Sequence, residues 1–261
     1  MRIDGSTKAL VTGASRGIGL AASERLARRG ATVGMVARGA DELGARADEL
    51  GAVAVPGDVS DFGSIEAAVH SFAERAGGLN LLLANAGLVR YAPFADQPLE
   101  DAEQMVQVNV LGTIYTVKAA LPLMLDRAAG HIVVLSSGAG LRAFPWGAVY
   151  GATKAADRSF AEALRHELSG TGVSVTTVFP GEVATAIHEG RRDRLPDWRS
   201  NDEELDSGAL ADAILDAVEA DRRAVYMPAA VRILGLNGIA PRLTDRLLAA
   251  VRGGAAAPRR D

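Results

Sequence analysis

The sequence contains no cysteine, few aromatic residues and no excess of basic residues. Its 261 residues include no Cys, 5% aromatic residues, and 28 Lys and Arg against 32 Asp and Glu. The absence of cysteine excludes a disulfide scaffold, a thiol nucleophile and a zinc-thiolate site. The formal net charge of −4 argues against nucleic-acid binding, which needs a concentrated positive surface.

The sequence also lacks a recognisable targeting or membrane segment. The N-terminal residues Met1–Thr7 carry Arg2 and Asp4, and no apolar core of a signal peptide follows them. No uncharged apolar run approaches the ~18 residues of a membrane helix. The longest ambiguous stretch, Pro228–Pro241, is interrupted by Arg232. We therefore expect a cytoplasmic protein without a transmembrane span.

Short apolar runs alternate with amphipathic segments along most of the chain. We expect buried strands at Lys8–Thr12, Ala31–Ala37, Ala52–Pro56, Leu79–Ala84, His131–Ser136, Val173–Phe179 and Ala224–Met227. We expect helices at Gly17–Arg29, Asp41–Leu50, Ser64–Ala76, Leu99–Leu125, Gly147–Leu168 and Ser207–Ala220. This alternation predicts an α/β fold, a Rossmann-like doubly wound parallel sheet of about seven strands with helices on both faces. We expect one domain over residues 1–252 and a disordered tail at 253–261.

A glycine-rich segment follows the first predicted strand. Gly13, Gly17 and Gly19 lie between Thr12 and the body of the next predicted helix. Glycines at such a place let the backbone turn tightly and approach a pyrophosphate at the helix N-terminus. The spacing departs from the common dinucleotide-binding fingerprint, and a glycine turn without a ligand would look the same.

The end of the second strand bears on the choice of cofactor. An acidic residue there would hold the ribose 2′-hydroxyl of NAD, but the strand ends in Ala37 and Arg38. Arg38, together with Arg16 in the glycine loop, favours the 2′-phosphate of NADP instead. The alternative is that each arginine is a solvated surface charge. Asp58 is a candidate acceptor for the adenine amino group, or an ordinary helix-start residue.

Tyr150 and Lys154 lie four residues apart on the predicted helix Gly147–Leu168, so their side chains emerge on one face. Ser137 follows the strand that ends at Ser136, where a doubly wound sheet binds its ligand. Tyrosine has an ordinary pKa of ~10, and a neighbouring ammonium favours its phenolate form. Ser137 would donate a hydrogen bond to a developing alkoxide. The alternative for the tyrosine and lysine is a partly buried amphipathic pair.

Taken together, these motifs resemble those of the short-chain dehydrogenase/reductase family, single-domain branch, over Lys8 to Met227. The residues that match its catalytic set are Asn109, Ser137, Tyr150 and Lys154. The resemblance implies that Asn109 kinks its helix and holds a water on the lysine. Ala84 stands where the family usually has an asparagine, which leaves the contacting residues that follow it unchanged.

The resemblance also implies a set of cofactor contacts. They are Thr12, Gly13, Ser15, Arg16, Gly17, Ile18, Gly19, Arg38, Asp58, Val59, Asn85, Ala86, Gly87, Tyr150, Lys154, Pro180, Gly181, Val183 and Thr185. The Thr185 hydroxyl and the Val183 backbone would contact the nicotinamide carboxamide. NADP(H) is the expected cofactor and NAD(H) the alternative, and no metal is expected.

The expected activity is interconversion of a carbonyl and a secondary alcohol, with Tyr150 as general acid and base. The residues expected to line an apolar mouth for a lipophilic substrate are Val89, Tyr91, Phe144, Pro145 and Trp146, although Trp146 fits a subunit interface equally well. The family carries its substrate lid at 186–206. A homodimer or homotetramer, paired through the helices Leu99–Leu125 and Gly147–Leu168, is also expected.

Three other interpretations remain open at this point. A cofactor-bound regulatory protein would keep the Rossmann core, but it would be expected to lose members of the catalytic set. A sugar-nucleotide epimerase shares the tyrosine and lysine spacing, but it needs a larger C-terminal substrate domain. A membrane-peripheral protein would use the apolar and arginine-bearing extension at 228–252 as an interfacial anchor.

Overall fold

The strands predicted from the sequence form one parallel sheet. The computed structural model describes residues 1–181, 183 and 205–242. The strands in these residues are Lys8–Thr12 (β1), Thr32–Ala37 (β2), Val53–Pro56 (β3), Leu81–Ala84 (β4), Gly130–Leu135 (β5), Val173–Pro180 (β6) and Ala224–Met227 (β7). They lie in the order β3-β2-β1-β4-β5-β6-β7, and every neighbouring pair is parallel. The predicted doubly wound sheet is confirmed.

The helices also lie close to their predicted bounds. In the described residues they are Gly17–Arg28 (α1), Ala40–Leu50 (α2), Phe62–Ala76 (α3), Leu99–Met105 (α4), Gly112–Leu125 (α5), Ala148–Glu167 (α6) and Ser207–Glu219 (α7). A π-helical segment, Val106–Leu111, separates α4 from α5 within the long helix that the sequence predicted. Helix α3 begins at Phe62 instead of Ser64 because the Asp61 carboxylate caps it, accepting a hydrogen bond from the Ser64 amide at 2.6 Å.

Alternating side chains along the strands divide the apolar core into two layers. In β1, Ala9 and Val11 pack with α1, α2 and α7 on one face of the sheet. Leu10 points to the other face and packs with α3, α5 and α6. Successive strand residues point to opposite faces, so a strand that is apolar throughout needs helices on both sides. The two layers confirm the predicted helices on both faces.

The long helix Leu99–Leu125 has the length and hydropathy of a membrane-spanning helix, which the sequence analysis did not anticipate. In its most apolar window, 44% is buried inside the protein. Helix α5 packs against α3 and the sheet, with Val117, Ala120 and Met124 in the core. Core helices of soluble proteins pass the same test of length and composition, so one such helix is weak evidence for a membrane span.

The sheet reverses its winding between β1 and β4. Strand β1 pairs with β2 on one side and with β4 on the other. Such a switch point leaves a crevice at the carboxyl ends of the strands, where open parallel sheets bind ligands. The glycine loop after β1 and the segment Asn85 to Gly87 after β4 both lie at this edge.

A buried histidine lies near the start of β5, away from that edge. His131 is 1% exposed, and its Nε2 lies 2.8 Å from the Thr176 hydroxyl on β6. Burial lowers the pKa of His131 to about 4, and the Asp221 carboxylate offsets only part of this shift. The neutral ring is therefore the stable form in the folded protein at neutral pH.

We expect the free energy of unfolding to fall as the pH drops from 6.5 to about 4. In this window the unfolded chain binds a proton on His131 that the folded protein does not bind, so the loss reaches about 3 kcal/mol. Urea unfolding across this range measures the effect. His131→Gln cannot protonate and should lack this part of the pH dependence, whereas His70→Gln, at an exposed position of α3, should retain it. Equal pH dependence in wild type and His131→Gln would refute the assignment.

Candidate active site

A cleft of about 720 Å³ opens at the carboxyl ends of the strands. It brings together most of the residues that the sequence predicted for the cofactor site. Those that line it are Gly13, Ser15, Arg16, Gly17, Ile18, Arg38, Asp58, Val59, Asn85, Ala86, Gly87, Pro180, Gly181 and Val183. The candidate catalytic residues Ser137, Tyr150 and Lys154 line the same cleft. Elements far apart in the chain therefore converge on one site.

The glycine loop has the backbone geometry that the motif predicted. Gly13 and Gly17 have φ values of 65° and 58°, in the left-handed region that L side chains rarely adopt. A Cβ on Gly13 would also lie 2.9 Å from the Ala86 Cα. Together with the cleft beside it, this close backbone is a cradle that fits a pyrophosphate at the start of α1.

Two predicted contact residues, Thr12 and Gly19, are not among the residues that line the cleft. The Thr12 hydroxyl accepts hydrogen bonds from the Asn85 amide at 3.0 Å and the Ala86 amide at 3.1 Å. The Asn85 side chain in turn donates to the Thr12 carbonyl at 2.8 Å. A Cβ on Gly19 would collide with the Gly13 carbonyl oxygen. In this structure both residues contact neighbouring backbone and side chains of the glycine loop and of the segment after β4, and neither borders the cleft.

One end of the cleft carries both arginines of the cofactor prediction. Arg16 precedes α1, Arg38 follows β2, and both side chains are exposed. Glu42, in the first turn of α2, lines the same cleft, so this end also holds a carboxylate. No acidic side chain stands at the end of β2 itself, where Ala37 is the last residue.

Asp58 is held by its own turn. Its carboxylate accepts hydrogen bonds from the Ser60 amide at 2.9 Å and the Ser60 hydroxyl at 2.7 Å. Partial burial would raise the pKa of Asp58, but these hydrogen bonds and the charge of Arg38 outweigh it and lower the pKa overall. An ionised carboxylate is a hydrogen-bond acceptor, which suits the predicted adenine contact as well as the turn.

Tyr150 and Lys154 both lie on α6, one turn apart, and Ser137 follows β5 at the edge of the cleft. Ser137 is 9% exposed, and its hydroxyl accepts a hydrogen bond from the Ala139 amide at 3.1 Å. The ring of Tyr91 meets the Tyr150 ring edge to face, with centroids 6.0 Å apart. This contact restrains the phenol ring at the cleft.

The Lys154 ammonium is buried, at 5% exposure. It donates hydrogen bonds to the Leu135 carbonyl at 2.8 Å and to the Asp157 carboxylate at 3.0 Å. Burial would lower the pKa of Lys154, but the charges of Asp157 and Tyr150 outweigh burial and raise it. Lys154 therefore keeps its positive charge beside Tyr150.

Asn109 lies in the π-helical segment between α4 and α5 and is fully buried. Its side-chain oxygen accepts from the Leu88 amide at 2.8 Å, and its nitrogen donates to the Leu88 carbonyl at 2.9 Å and the Thr153 hydroxyl at 3.0 Å. The wider π turn interrupts the regular helix at this residue. These bonds join the loop after β4 to α6, and the predicted role of Asn109 in holding a water stays a prediction.

The apolar part of the cleft contains one surface that the sequence analysis missed. Of the five residues predicted for the mouth, those that line the cleft are Val89, Tyr91 and Phe144, while Pro145 and Trp146 do not. The extension after β7 contributes Val231 and Leu234 to the lining. A Cβ on Gly138 would lie 3.3 Å from Val231 and 3.4 Å from Leu234. Their spacing of three residues in an apolar segment was the available signal.

Several predicted features lie outside the described residues. They are Thr185, the tail at 253–261, and the lid segment 186–206 apart from Leu205 and Asp206. Within the part of the chain that the structure describes, no cluster of His, Cys, Asp and Glu side chains could hold a metal ion.

Comparison with known proteins gives a consistent picture. The family model described as short chain dehydrogenase matches residues 7–196. An uncharacterised oxidoreductase of Staphylococcus aureus (strain MW2) is 34% identical over 213 residues, which cover 80% of this chain and 90% of the relative. The relative thus matches over most of its own length.

Two solved structures share the fold. One is a short-chain dehydrogenase/reductase from Burkholderia phymatum in complex with NAD, with a TM-score of 0.83, 27% identity, and coverage of 94% of this chain and 96% of that one. The other is an alcohol dehydrogenase from the archaeon Thermococcus sibiricus in complex with 5-hydroxy-NADP, with a TM-score of 0.75, 30% identity, and coverage of 84% and 94%. The family match, the shared fold and the cleft at the switch point lead to one conclusion: this chain belongs to the short-chain dehydrogenase/reductase family of oxidoreductases.

Proposed function

We propose that this protein is an NADP(H)-preferring oxidoreductase that interconverts a carbonyl and a secondary alcohol on a lipophilic small molecule. The observation that carries the proposal is the convergence of Ser137, Tyr150 and Lys154 on the cleft that contains the glycine loop. A general acid, a hydrogen-bond donor and a fixed positive charge then lie beside a site for a dinucleotide. Asn109, Ser137, Tyr150 and Lys154 are the proposed catalytic set.

The proposed mechanism assigns one task to each side chain. In the reduction direction the Tyr150 hydroxyl donates a proton to the substrate oxygen, and in oxidation its phenolate accepts that proton. The Ser137 hydroxyl donates a hydrogen bond to the same oxygen as negative charge develops there. The Lys154 ammonium stabilises the phenolate of Tyr150 through its charge. A bound nicotinamide supplies or accepts the hydride.

The residues present fit a dinucleotide along the cleft. The loop of Gly13 and Gly17 would hold the pyrophosphate, and Asp58 would accept from the adenine. Arg16 and Arg38 support a preference for the 2′-phosphate of NADP(H), since guanidinium groups bind phosphate by charge-assisted hydrogen bonds. The solved relatives named above were bound to NAD in one case and to an NADP derivative in the other, so the preference rests on these side chains.

The apolar lining supports a lipophilic substrate. Val89, Tyr91 and Phe144 line the cleft, and Val231 and Leu234 of the C-terminal extension line it as well. Burial of apolar substrate surface against such side chains contributes about 25 cal/mol for each Å². Aliphatic and aromatic ketones should therefore bind better than short polar ones.

A panel of ketones and secondary alcohols, followed by the absorbance of the reduced nicotinamide with both cofactors, tests this function. We expect NADPH-dependent reduction, with kcat/KM rising about tenfold for each 50 to 60 Å² of additional buried apolar surface until the cleft is filled. Faster turnover of small polar ketones than of larger apolar ones would refute the lipophilic assignment. Absence of turnover across the panel with either cofactor would refute the proposed activity.

Exposed apolar side chains on the helices expected to pair subunits support a homodimer or homotetramer. Leu99, Val106 and Leu125 of the α4 to α5 region are 68%, 43% and 40% exposed. A two-fold axis needs only one self-complementary patch of this kind.

Exposed apolar residues of the C-terminal extension also support the alternative function, peripheral contact with a membrane. Val231 is buried, whereas Ile233 and Ile239 are 54% and 85% exposed. Liposome flotation of the intact and truncated chains tests this alternative. Flotation of the intact chain alone would indicate that the extension contacts the membrane, and flotation of neither would indicate that it serves only as a wall of the cleft.

A further inference from the structure

A buried carboxylate lies against the proposed catalytic lysine. Asp157 follows Lys154 by three residues on α6, and its Oδ2 lies 3.0 Å from the lysine Nζ. The side chains are 6% and 1% exposed for Lys154 and Asp157 respectively. Burying an ion pair carries a large desolvation cost, and the partners repay it only when their geometry is good. A carboxylate at this place therefore needs an explanation beyond the stability of the helix.

The groups around the pair include ones from α5, β5 and the π-helical segment. From α5, the Thr113 hydroxyl donates to the Asn109 carbonyl at 2.8 Å and offsets part of the rise that burial causes in the pKa of Asp157. From β5, the Leu135 carbonyl accepts from Lys154 at 2.8 Å. Asn109 in the π-helical segment is neutral and bonds to Leu88 and to Thr153. Among the described residues, the titratable group that acts on Lys154 besides Asp157 is Tyr150.

The ion pair reduces the electrostatic attraction between the Lys154 ammonium and the phenolate of Tyr150. An isolated ammonium would attract the phenolate of Tyr150 with its full charge, whereas an ammonium paired to a carboxylate presents a dipole. Burial would raise the pKa of Asp157, and Lys154 and Thr113 offset part of that shift. Lys154 keeps its charge in the pair, so the negative charge of Asp157 opposes ionisation of Tyr150.

We propose that Asp157 is a positioning residue that fixes Lys154 and sets the pH at which Tyr150 exchanges its proton. This inference rests on the proposed function for its catalytic meaning. Asp157 holds the ammonium between its carboxylate and the Leu135 carbonyl, and its negative charge offsets part of the positive charge that Lys154 presents to Tyr150. The protonated form of Tyr150 is the one that donates to a carbonyl oxygen, so loss of the Asp157 charge should narrow the pH range of ketone reduction on its alkaline side.

Asp157→Asn tests the proposal because it keeps the shape and an oxygen that accepts from Lys154 while removing the charge. The phenolate absorbance of Tyr150 is measured in the cofactor-free protein by subtracting the same titration of the matching Tyr150→Phe protein. In the variant, this signal should appear about one pH unit lower than in wild type. The alkaline limb of the pH profile of ketone reduction should move to lower pH by a similar amount.

Asp212→Asn is the matched control, because it removes one carboxylate charge from α7, where Asp212 forms a partly buried ion pair with Arg25 of α1. It should leave both pH readings unchanged. Asp157→Ser is also neutral and carries the same test if the Asn variant does not fold. A lower melting temperature of Asp157→Asn with unmoved pH readings would mean a structural role alone and would overturn the proposal.

The phenolate titration and the pH profile of ketone reduction together distinguish the ways in which the proposal could fail. If the activity limb moves but the phenolate signal does not, the proton leaves Lys154 and the assignment to Tyr150 is wrong. If wild type turns over no ketone, the proposed function fails, while the titration of the cofactor-free protein still decides the role of Asp157.

Discussion

Tyr150→Phe is expected to lower kcat by roughly 100- to 10,000-fold, the range that general acid–base catalysis contributes. The substitution removes only the hydroxyl that exchanges a proton with the substrate oxygen. Its ring still fits against Tyr91, which meets Tyr150 edge to face with centroids 6.0 Å apart. Folding and NADPH affinity should therefore stay close to wild type, and a thermal melt and a binding titration measure both.

Tyr115→Phe is the matched control for this substitution. Tyr115 lies on α5, where its ring packs on Phe62 with centroids 5.6 Å apart, and it is not among the residues that line the cleft. Its loss of a hydroxyl should leave kcat unchanged. Wild-type turnover in Tyr150→Phe would refute the assigned general acid, and an equal loss in the two variants would indicate an indirect effect.

Arg38→Ala is expected to weaken NADPH binding roughly ten- to hundredfold and to leave NADH affinity nearly unchanged. A charge-assisted hydrogen bond to the 2′-phosphate contributes about 1.5 to 3 kcal/mol. The ribose of NADH has neutral hydroxyls in place of the phosphate and loses little when the guanidinium is removed. Dissociation constants of both cofactors for wild type and variant measure the difference.

Ala37→Asp is expected to reverse the preference, so that NADH binds more tightly than NADPH. A carboxylate at the end of β2 would repel the 2′-phosphate and accept from the ribose hydroxyl of NAD. Glu42 on α2 already borders this end of the cleft, so the added charge acts together with an existing one.

Arg46→Ala provides the control for loss of an arginine. Arg46 lies on α2, is paired to Glu49 at 3.0 Å, and does not line the cleft. It should leave both affinities unchanged. Equal affinity of wild type for the two cofactors, or NADPH binding indifferent to Arg38, would refute the proposed preference.

The sequence alone located the elements of the fold. The predicted strands Lys8–Thr12 and Ala224–Met227 have the same bounds in the structure, because apolar runs of this length are a local signal. The predicted start of α3 at Ser64 differs from its observed start at Phe62, because a single cap such as Asp61 moves the start of a helix. The motif residues also occurred in an order that pointed to the family before any contact was known.

Only the tertiary structure determined which of those residues line the cleft and which support other segments. Asn109 bonds to the backbone of Leu88, and Thr12 braces the segment after β4 instead of lining the cleft. The extension after β7 forms an apolar wall through Val231 and Leu234. Sequence periodicity reports which side of an element is apolar, but not which distant segment will cover it. The burial of Asp157 against Lys154 likewise follows from how α5, β5 and α6 pack together, since the same spacing on an exposed helix would give a solvated ion pair of little consequence.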